Sequence, residues 1–594
     1  MKKTIAAILA LTLLASAFVS CDSGAEQSES TSIESTAVQT EADGTTLDTT
    51  EGETETETET ETEPPVEAAL PEGEPDLTYV TDDGYKMSQY DGKEKIDYRA
   101  ACAYYIEDGY TLYTENKIGT ALSSTFIKDD AYRVVMINQN KNELYIGECE
   151  SGAGNFPVAK PDYVRMNDTT VTQHRSDMEN GMGYFIRLAD GSFIIFDGGH
   201  YEDTDDSYAL LCRLNGSEEN IRIRAWFITH SHGDHFRMFS QFSKDYADKV
   251  QLDTLYYCAV VDEPNRDPYL NGTVKTDLAR FEGAKAVQIH TGMAFDFADV
   301  RVEILCSPDQ VYKNVETDDF NESSVVSRVI SEEGSIIING DIGVNGCSFM
   351  MDCYGEALKS DMVQMAHHGL ETSPVAYYDL ISPSTVFIPY GESLGGGGRA
   401  KQHVMQSEYA QEIISHGYGN ATRLLSHKAV RSDTVDLMPA RSGSVTPNRY
   451  ISSLKKDSNG YLTYTVVGEG DNLDVNFWYP VKKIDWDTTK YNAVRIVIDS
   501  YPMEGQEGLY NGGAQLYFTS GKDNAGSFTA AKSIGMFRQG HSTNDTFVLI
   551  GYLGNVEGFT GEEISSLRID IGATPGQQVV IRSIEAFHVE IDED

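Results

Sequence analysis

Apolar and polar positions alternate in three different ways along the chain. In "EKIDYRAACAYYIEDGY", residues 94 to 110, the apolar side chains recur at helical spacing and the run ends at Gly109. "YRVVMINQ" and "NELYIGE" then alternate as strands, joined by the turn-prone segment Asn138 to Asn142. This predicts a small α+β unit over residues 76–165, to which no chemistry can be assigned. From 166 to 445 the texture changes to apolar strands separated by helix-like segments. "YFIRLADGSFIIFDGG" reads as a hairpin turning at Asp190-Gly191; "IRIRAWFITH", "VRVEILCSP", "GSIIINGD", "DMVQMAHHG" and "STVFIPYGE" read as further strands. "EYAQEIISHGYG" has the spacing of an amphipathic helix closed by glycine. Together these predict a layered α/β domain. Over 446–594 the pattern becomes short alternating strands such as "YLTYTVVGEG", "NAVRIVIDS" and "SLRIDIG", which predict an all-β sandwich. The fold class expected is therefore multidomain α/β, with an α/β sandwich between a small α+β unit and a β-sandwich.

The N-terminus has a different texture. Lys2 and Lys3 precede an apolar run from Ile5 to Val19 that is too short to span a bilayer, which reads as an export signal over 1–21. "FVSC" at 18–21 resembles the lipobox of bacterial lipoproteins, which implies a cell-surface lipoprotein anchored to the membrane through Cys21. Residues 22–75 contain "TTEGETETETETETEPPVE", a low-complexity acidic Thr/Glu tract expected to be a disordered spacer. It contributes much of a formal net charge of −47. An acidic surface repels polyphosphates, so duplex DNA is disfavoured as a partner, whereas a metal-filled cleft is not. Seven cysteines remain after Cys21, without CxxC spacing and mostly in apolar runs. They read as buried thiols, with Cys347 and Cys353 the only local pair worth testing for a bridge.

One stretch concentrates chemistry. "WFITHSHGDHFRMF", residues 226 to 239, places His230, His232, Asp234 and His235 directly after an apolar strand and before a helix-like segment. Imidazoles and a carboxylate at a strand end suit zinc and other first-row divalent ions. Gathering them makes sense only if a cation offsets the cost of burying them.

"HSHGDH" meets in full the HxHxDH signature of the metallo-β-lactamase superfamily, which this segment resembles. Other segments resemble the family's remaining motifs. "FDGG" at 196–199 resembles the upstream motif in which Asp197 would orient the metal loop. "NGD" at 339–341 nominates Asp341 as a carboxylate shared by two ions, and "AHHG" at 366–369 is similar to the distal histidine motif. "NESSVVSRVISEEGSIIINGDIG", "DMVQMAHHGLETS" and the later His403 look like the hydrolase domain of competence DNA-uptake proteins and the choline-releasing phosphodiesterases of Gram-positive surfaces. The resemblance covers roughly residues 180 to 430. It implies that His368 binds metal while His367 faces the substrate. Where most superfamily members carry a further histidine, the competence-type relatives have an Asn-x-x-Ser stretch, matched by Asn321 to Ser324. His290 is accordingly read as a surface or turn histidine.

The resemblance implies a metallo-β-lactamase αβ/βα sandwich with two divalent ions, zinc or manganese, about 3.5–4 Å apart. His230 and His232 would hold one, Asp234, His235 and His368 the other, with Asp341 and a hydroxide between them. The expected catalytic residues are Asp234, His367 and His403, the last orienting or protonating the leaving group or else being an ordinary helix-start histidine. "GGGGRAKQ" before it suggests a mobile loop. A phosphodiester, within a surface glycopolymer or a small molecule, is the implied substrate. Two alternatives stay open: another hydrolase of the superfamily acting on a lactone, lactam or thioester, and a non-catalytic glycan-binding lipoprotein. For the latter, Trp478, Tyr479, Trp486 and Tyr491 in the last domain, which resembles carbohydrate-binding modules, are either a sugar-stacking face or core.

Overall fold

A computed structural model describes residues 65–592, apart from 82–83, 260–268, 312–319, 371, 392–397, 471–472, 502–513, 537–545 and 572–574. The expected export signal, Cys21, most of the acidic segment read as a spacer and most of the glycine run after Tyr390 lie outside the described residues.

The first unit is a six-stranded antiparallel sheet with the helix Lys95–Glu107 against one face. The helix buries Tyr98, Ala101 and Tyr105 on Val135, Ile137, Leu144 and Ile146 of the expected strands. Residues 111–128 add a further hairpin.

The middle of the chain forms two seven-stranded sheets. In the first, Phe193–Asp197, Ile221–Phe227, Val250–Tyr257 and Lys285–Gln288 run parallel; in the second, Ser335–Ile338, Met362–Gln364, Thr385–Ile388 and Glu412–Ser415 do. One face of the first sheet presents Ile194, Phe196, Phe227 and Tyr256 to the second sheet's Val302, Ile304, Ile336 and Ile338 in a shared core. Its other face presents Phe193, Ile195, Trp226 and Leu255 to the helices Thr204–Asn215 and Gly233–Asp245. The α/β sandwich is therefore present as expected, and its strands are apolar on both faces because both are covered.

One expected helix is absent. Glu412–Ser415, inside "EYAQEIISHGYG", is a strand pairing in parallel with Thr385–Ile388. Ile413 and Ile414 gain more by completing a sheet edge than the amphipathic spacing offers, so tertiary context overrides local pattern.

The C-terminal sandwich has a six-stranded and a five-stranded sheet, with Thr434–Asp436, ahead of the expected start at 446, pairing with Gln578–Phe587. Its strand Thr546–Tyr552 sends Val548, Ile550 and Tyr552 into the same core as the α/β sheets, and Tyr552 stacks on Tyr418 at 4.8 Å. Tyr479 and Trp486 are core residues and Trp478 lies at partial exposure against Phe528. Cys347 and Cys353 are unbridged thiols six positions apart on the helix Val344–Tyr354, a spacing too long for a disulfide.

Candidate metal centre

In an open α/β layer, groups that follow the carboxyl ends of parallel strands gather at one edge. Here Asp197 ends the strand Phe193–Asp197, His230 follows Ile221–Phe227, Asp341 follows Ser335–Ile338 and His368 follows Met362–Gln364. His232 caps the helix Gly233–Asp245, whose first turn supplies Asp234 and His235.

These strand ends bring all six expected ligands together. One ligand atom from each of His230, His232 and Asp341 lies within 4.8 Å of the others, and the same holds for Asp234, His235 and His368. Asp341 also faces the second group: Oδ1 lies 3.2 Å from His235 Nε2, and Oδ2 lies 3.5 Å from His368 Nε2 and 3.7 Å from His230 Nε2. Asp234 Oδ2 lies 3.2 Å from His368 Nε2.

Three of the imidazoles, His230, His235 and His368, are turned by a partner on the far nitrogen. His235 Nδ1 meets Asp197 Oδ2 at 2.7 Å, and His368 Nδ1 meets the Pro389 carbonyl at 2.7 Å. His230 Nδ1 lies 3.1 Å from Thr229 Oγ1 and 3.3 Å from Ser324 Oγ. Asp197 binds no ligand position; it accepts the Thr229 backbone N–H and hydroxyl, both at 2.7 Å, and fixes the loop, as expected. Its φ of +54° is an uncommon setting for a non-glycine residue. Ser324 Oγ also accepts the Asp341 N–H at 2.9 Å, so the Asn321–Ser324 stretch positions two ligands. Asn180 donates to Asp234 Oδ2 at 2.5 Å. Thr229 and Asn180 went unnoticed in the sequence because a threonine in a strand end and an asparagine in a turn carry no distinguishing pattern.

The residues fit a cation pair. The Nε2 atoms of His230, His235 and His368 and Asp341 Oδ1 are buried without a properly formed hydrogen bond, a costly arrangement that cations would relieve. The charge balance agrees. Burial pushes the Asp341 carboxyl up, but His235 and His368 outweigh it and hold it well below the usual range. Burial likewise opposes the charge on His368, yet Asp341 and the adjacent Asp234 lift it to about 9.

His367 stands at the rim. Its side chain is partly exposed, with Nε2 3.9 Å from Asp341 Oδ2. Both His367 and His368 have positive φ, +48° and +55°, a strained pair of the kind found at functional sites. His403 is placed elsewhere: on the helix Arg399–Gln406 its Nε2 bonds Asp379 Oδ1 at 2.6 Å in an exposed ion pair, and the structure does not bring it into the ligand cluster. His290 lies outside both ligand groups, and it is not on the surface. It is fully buried and stacks on Tyr85 of the first unit at 3.6 Å, because the first sheet covers the turn that carries it.

No family model matches the chain, and no curated protein matches it. Among solved structures it is similar to the metallo-beta-lactamase fold protein YhfI from Bacillus subtilis, at 9% identity over 42% of this chain and 96% of that one, with a TM-score of 0.29. It is also similar to Zn(2+)-bound PqqB from Methylobacterium extorquens (10% identity, 33% and 71% covered, TM-score 0.23). A third likeness is to the xylan-binding module CBM15 (13% identity, 27% and 99% covered, TM-score 0.19). Likenesses at these scores carry no weight for activity or substrate.

Proposed function

We propose that the protein is an exported, metal-dependent hydrolase acting on phosphodiesters, tethered to a membrane through Cys21, with a surface glycopolymer or a small phosphodiester as substrate. The observation that carries the hydrolase reading is the convergence of six ligand-type side chains from separate strand ends, with His230, His235, His368 and Asp341 each left with an inward-facing atom unsatisfied. His230, His232 and Asp341 would hold one divalent cation and Asp234, His235 and His368 the other, with Asp341 reaching both. Such ions lower the pKa of water to about 7 and draw charge from a phosphoryl oxygen.

The chain's own groups do the rest. Asp197 and the Pro389 carbonyl keep the His235 and His368 rings turned inward. Asn180 holds Asp234 in place. His367, at the rim beside Asp341, is positioned to hydrogen-bond a phosphoryl oxygen or the leaving group. The choice of phosphodiester is supported by the likeness of the AHHG and Asn-x-x-Ser segments to those of phosphodiesterases.

The test is hydrolysis of bis-p-nitrophenyl phosphate by metal-loaded protein. Activity should be lost in Asp234→Ala and His368→Ala while circular dichroism remains native. A preference for lactones or thioesters over phosphodiesters would replace this substrate class.

A further inference from the structure

Lys401 lies in the first turn of the helix Arg399–Gln406 and is 2% exposed. No carboxylate among the described residues stands within ion-pair distance; its ammonium faces the Tyr390 ring, 5.4 Å from the centroid. Lysines are almost never buried unless paired, and a buried cation without a counter-charge costs stability. Acid partners are not scarce in a chain with 93 Asp and Glu against 46 Lys and Arg. Glu179 hydrogen-bonds the Tyr390 hydroxyl and does not form an ion pair with the lysine.

The place of this charge, unpaired among the described residues, is informative. A Cβ on Gly369 would come within 2.8 Å of Lys401 Cδ, so the lysine stem lies against the residue following His368. Tyr390 follows Pro389, whose carbonyl turns the His368 ring, and its backbone bridges that of Asn180, the donor to Asp234. The lysine therefore packs on the two segments that carry His368 and its Pro389 partner, with its ammonium over Tyr390. The helix is clamped in turn: Gln402 exchanges two hydrogen bonds with the Val548 backbone, at 3.1 and 2.9 Å, and Gln406 donates to the Thr546 carbonyl at 3.0 Å. The C-terminal sandwich thus fixes the element that presents the lysine.

We propose that Lys401 is the anchor for a phosphoryl oxygen of the substrate, which would supply the counter-charge that none of the described residues offers. The substrate class rests on the function proposed above; the anion-binding role rests on the buried, unpaired position itself. A lysine of purely structural value would be destabilising to remove. An anchor held at a cost to stability would not be.

The experiment compares metal-loaded full-length wild type with Lys401→Met and Lys401→Arg. Inorganic phosphate serves as probe in calorimetry and thermal unfolding, and bis-p-nitrophenyl phosphate in kinetics. In Lys401→Met, metal content should be unchanged and the thermal midpoint without phosphate equal to or above wild type. Phosphate should bind about tenfold or more weakly, the loss of one charge-assisted contact. Its stabilising upshift should shrink accordingly, and KM should rise by more than kcat falls. Lys401→Arg should recover part of the phosphate affinity. Equal phosphate affinity in Lys401→Met, or a lowered thermal midpoint with phosphate binding retained, overturns the anchor. Lys401-dependent phosphate binding without phosphodiester hydrolysis would leave the anchor standing and remove the phosphodiesterase reading; hydrolysis indifferent to Lys401 would do the reverse.

Discussion

Asp197 shows how much a residue outside the ligand set decides. It accepts from Thr229 twice and holds His235 Nδ1, so the ring's other nitrogen has one direction available. Losing such a partner costs metal affinity by about 10–100-fold. Asp197→Asn should show that drop in competition with a chromophoric chelator, and an unchanged affinity would remove the orienting role. Gly340 is as constrained by space: with φ at +57°, a Cβ there would meet Thr229 Cβ and Ser324 Oγ, each at 2.9 Å. Gly340→Ala should therefore destabilise the fold by about 1–3 kcal/mol and displace Asp341, which denaturant unfolding and metal content would read together. The HxHxDH cluster, Asp341, His368 and Asp197 were all legible as motifs. Ser324 was legible as the end of the Asn-x-x-Ser stretch; the other supports, Thr229 and Asn180, were not, because single hydroxyls and amides acquire meaning only from what they face.

Strand ends carry the site, and two of them are held by histidines kept neutral. His174 follows the strand Thr170–Gln173 and His416 follows Glu412–Ser415; burial, with nearby positive charge for His174, lowers each to about 3. His416 accepts the Ser176 N–H at Nδ1, 3.1 Å away, pinning the segment that leads to Asn180. The unfolded chain takes up protons on these rings near pH 6.5, whereas the folded one resists until about pH 3. Their stabilisation is thus complete above pH 6.5 and is lost progressively as the pH falls toward 3. In His174→Phe, which keeps an aromatic ring against Phe185, the decline of the thermal midpoint between pH 6.5 and 4 should be shallower than in wild type. Parallel slopes would show that His174 is protonated when folded. At this scale the sequence was right wherever a segment satisfied one pattern alone. It failed at Glu412–Ser415, whose spacing fits a helix while its isoleucines fit the open edge beside Thr385–Ile388.

The described residues from 65 onward pack as one compact unit. Tyr85 and Tyr132 of the first sheet, Phe295 and Ile336 of the α/β layers and Val548 and Ile550 of the last sandwich share a continuous core. Asp592, at the end of the described chain, returns to accept the Thr422 N–H and hydroxyl. Unfolding of residues 65–594 should therefore be a single cooperative transition by calorimetry, and separate transitions for the three regions would contradict the shared core. Deleting 446–594 should leave the α/β layers poorly soluble, because apolar surface around Tyr418, Val404 and Met405 would lose its cover. Sequence texture divided the chain into regions. It could not show that they are joined in one core.

The sequence by itself determined which chemistry is present and where each strand end would deliver it, since a ligand cluster such as His230 to His235 and an apolar run are local properties. Only the tertiary structure decided what met what: that Asp341 and His368 close on that cluster, that His290 is buried beneath Tyr85, that His403 pairs with Asp379, and that Lys401 is enclosed without a counter-ion among the described residues. Those outcomes depend on sheet order and on which element covers which. Both are set by packing between segments far apart along the chain, a quantity that no local pattern of residues contains.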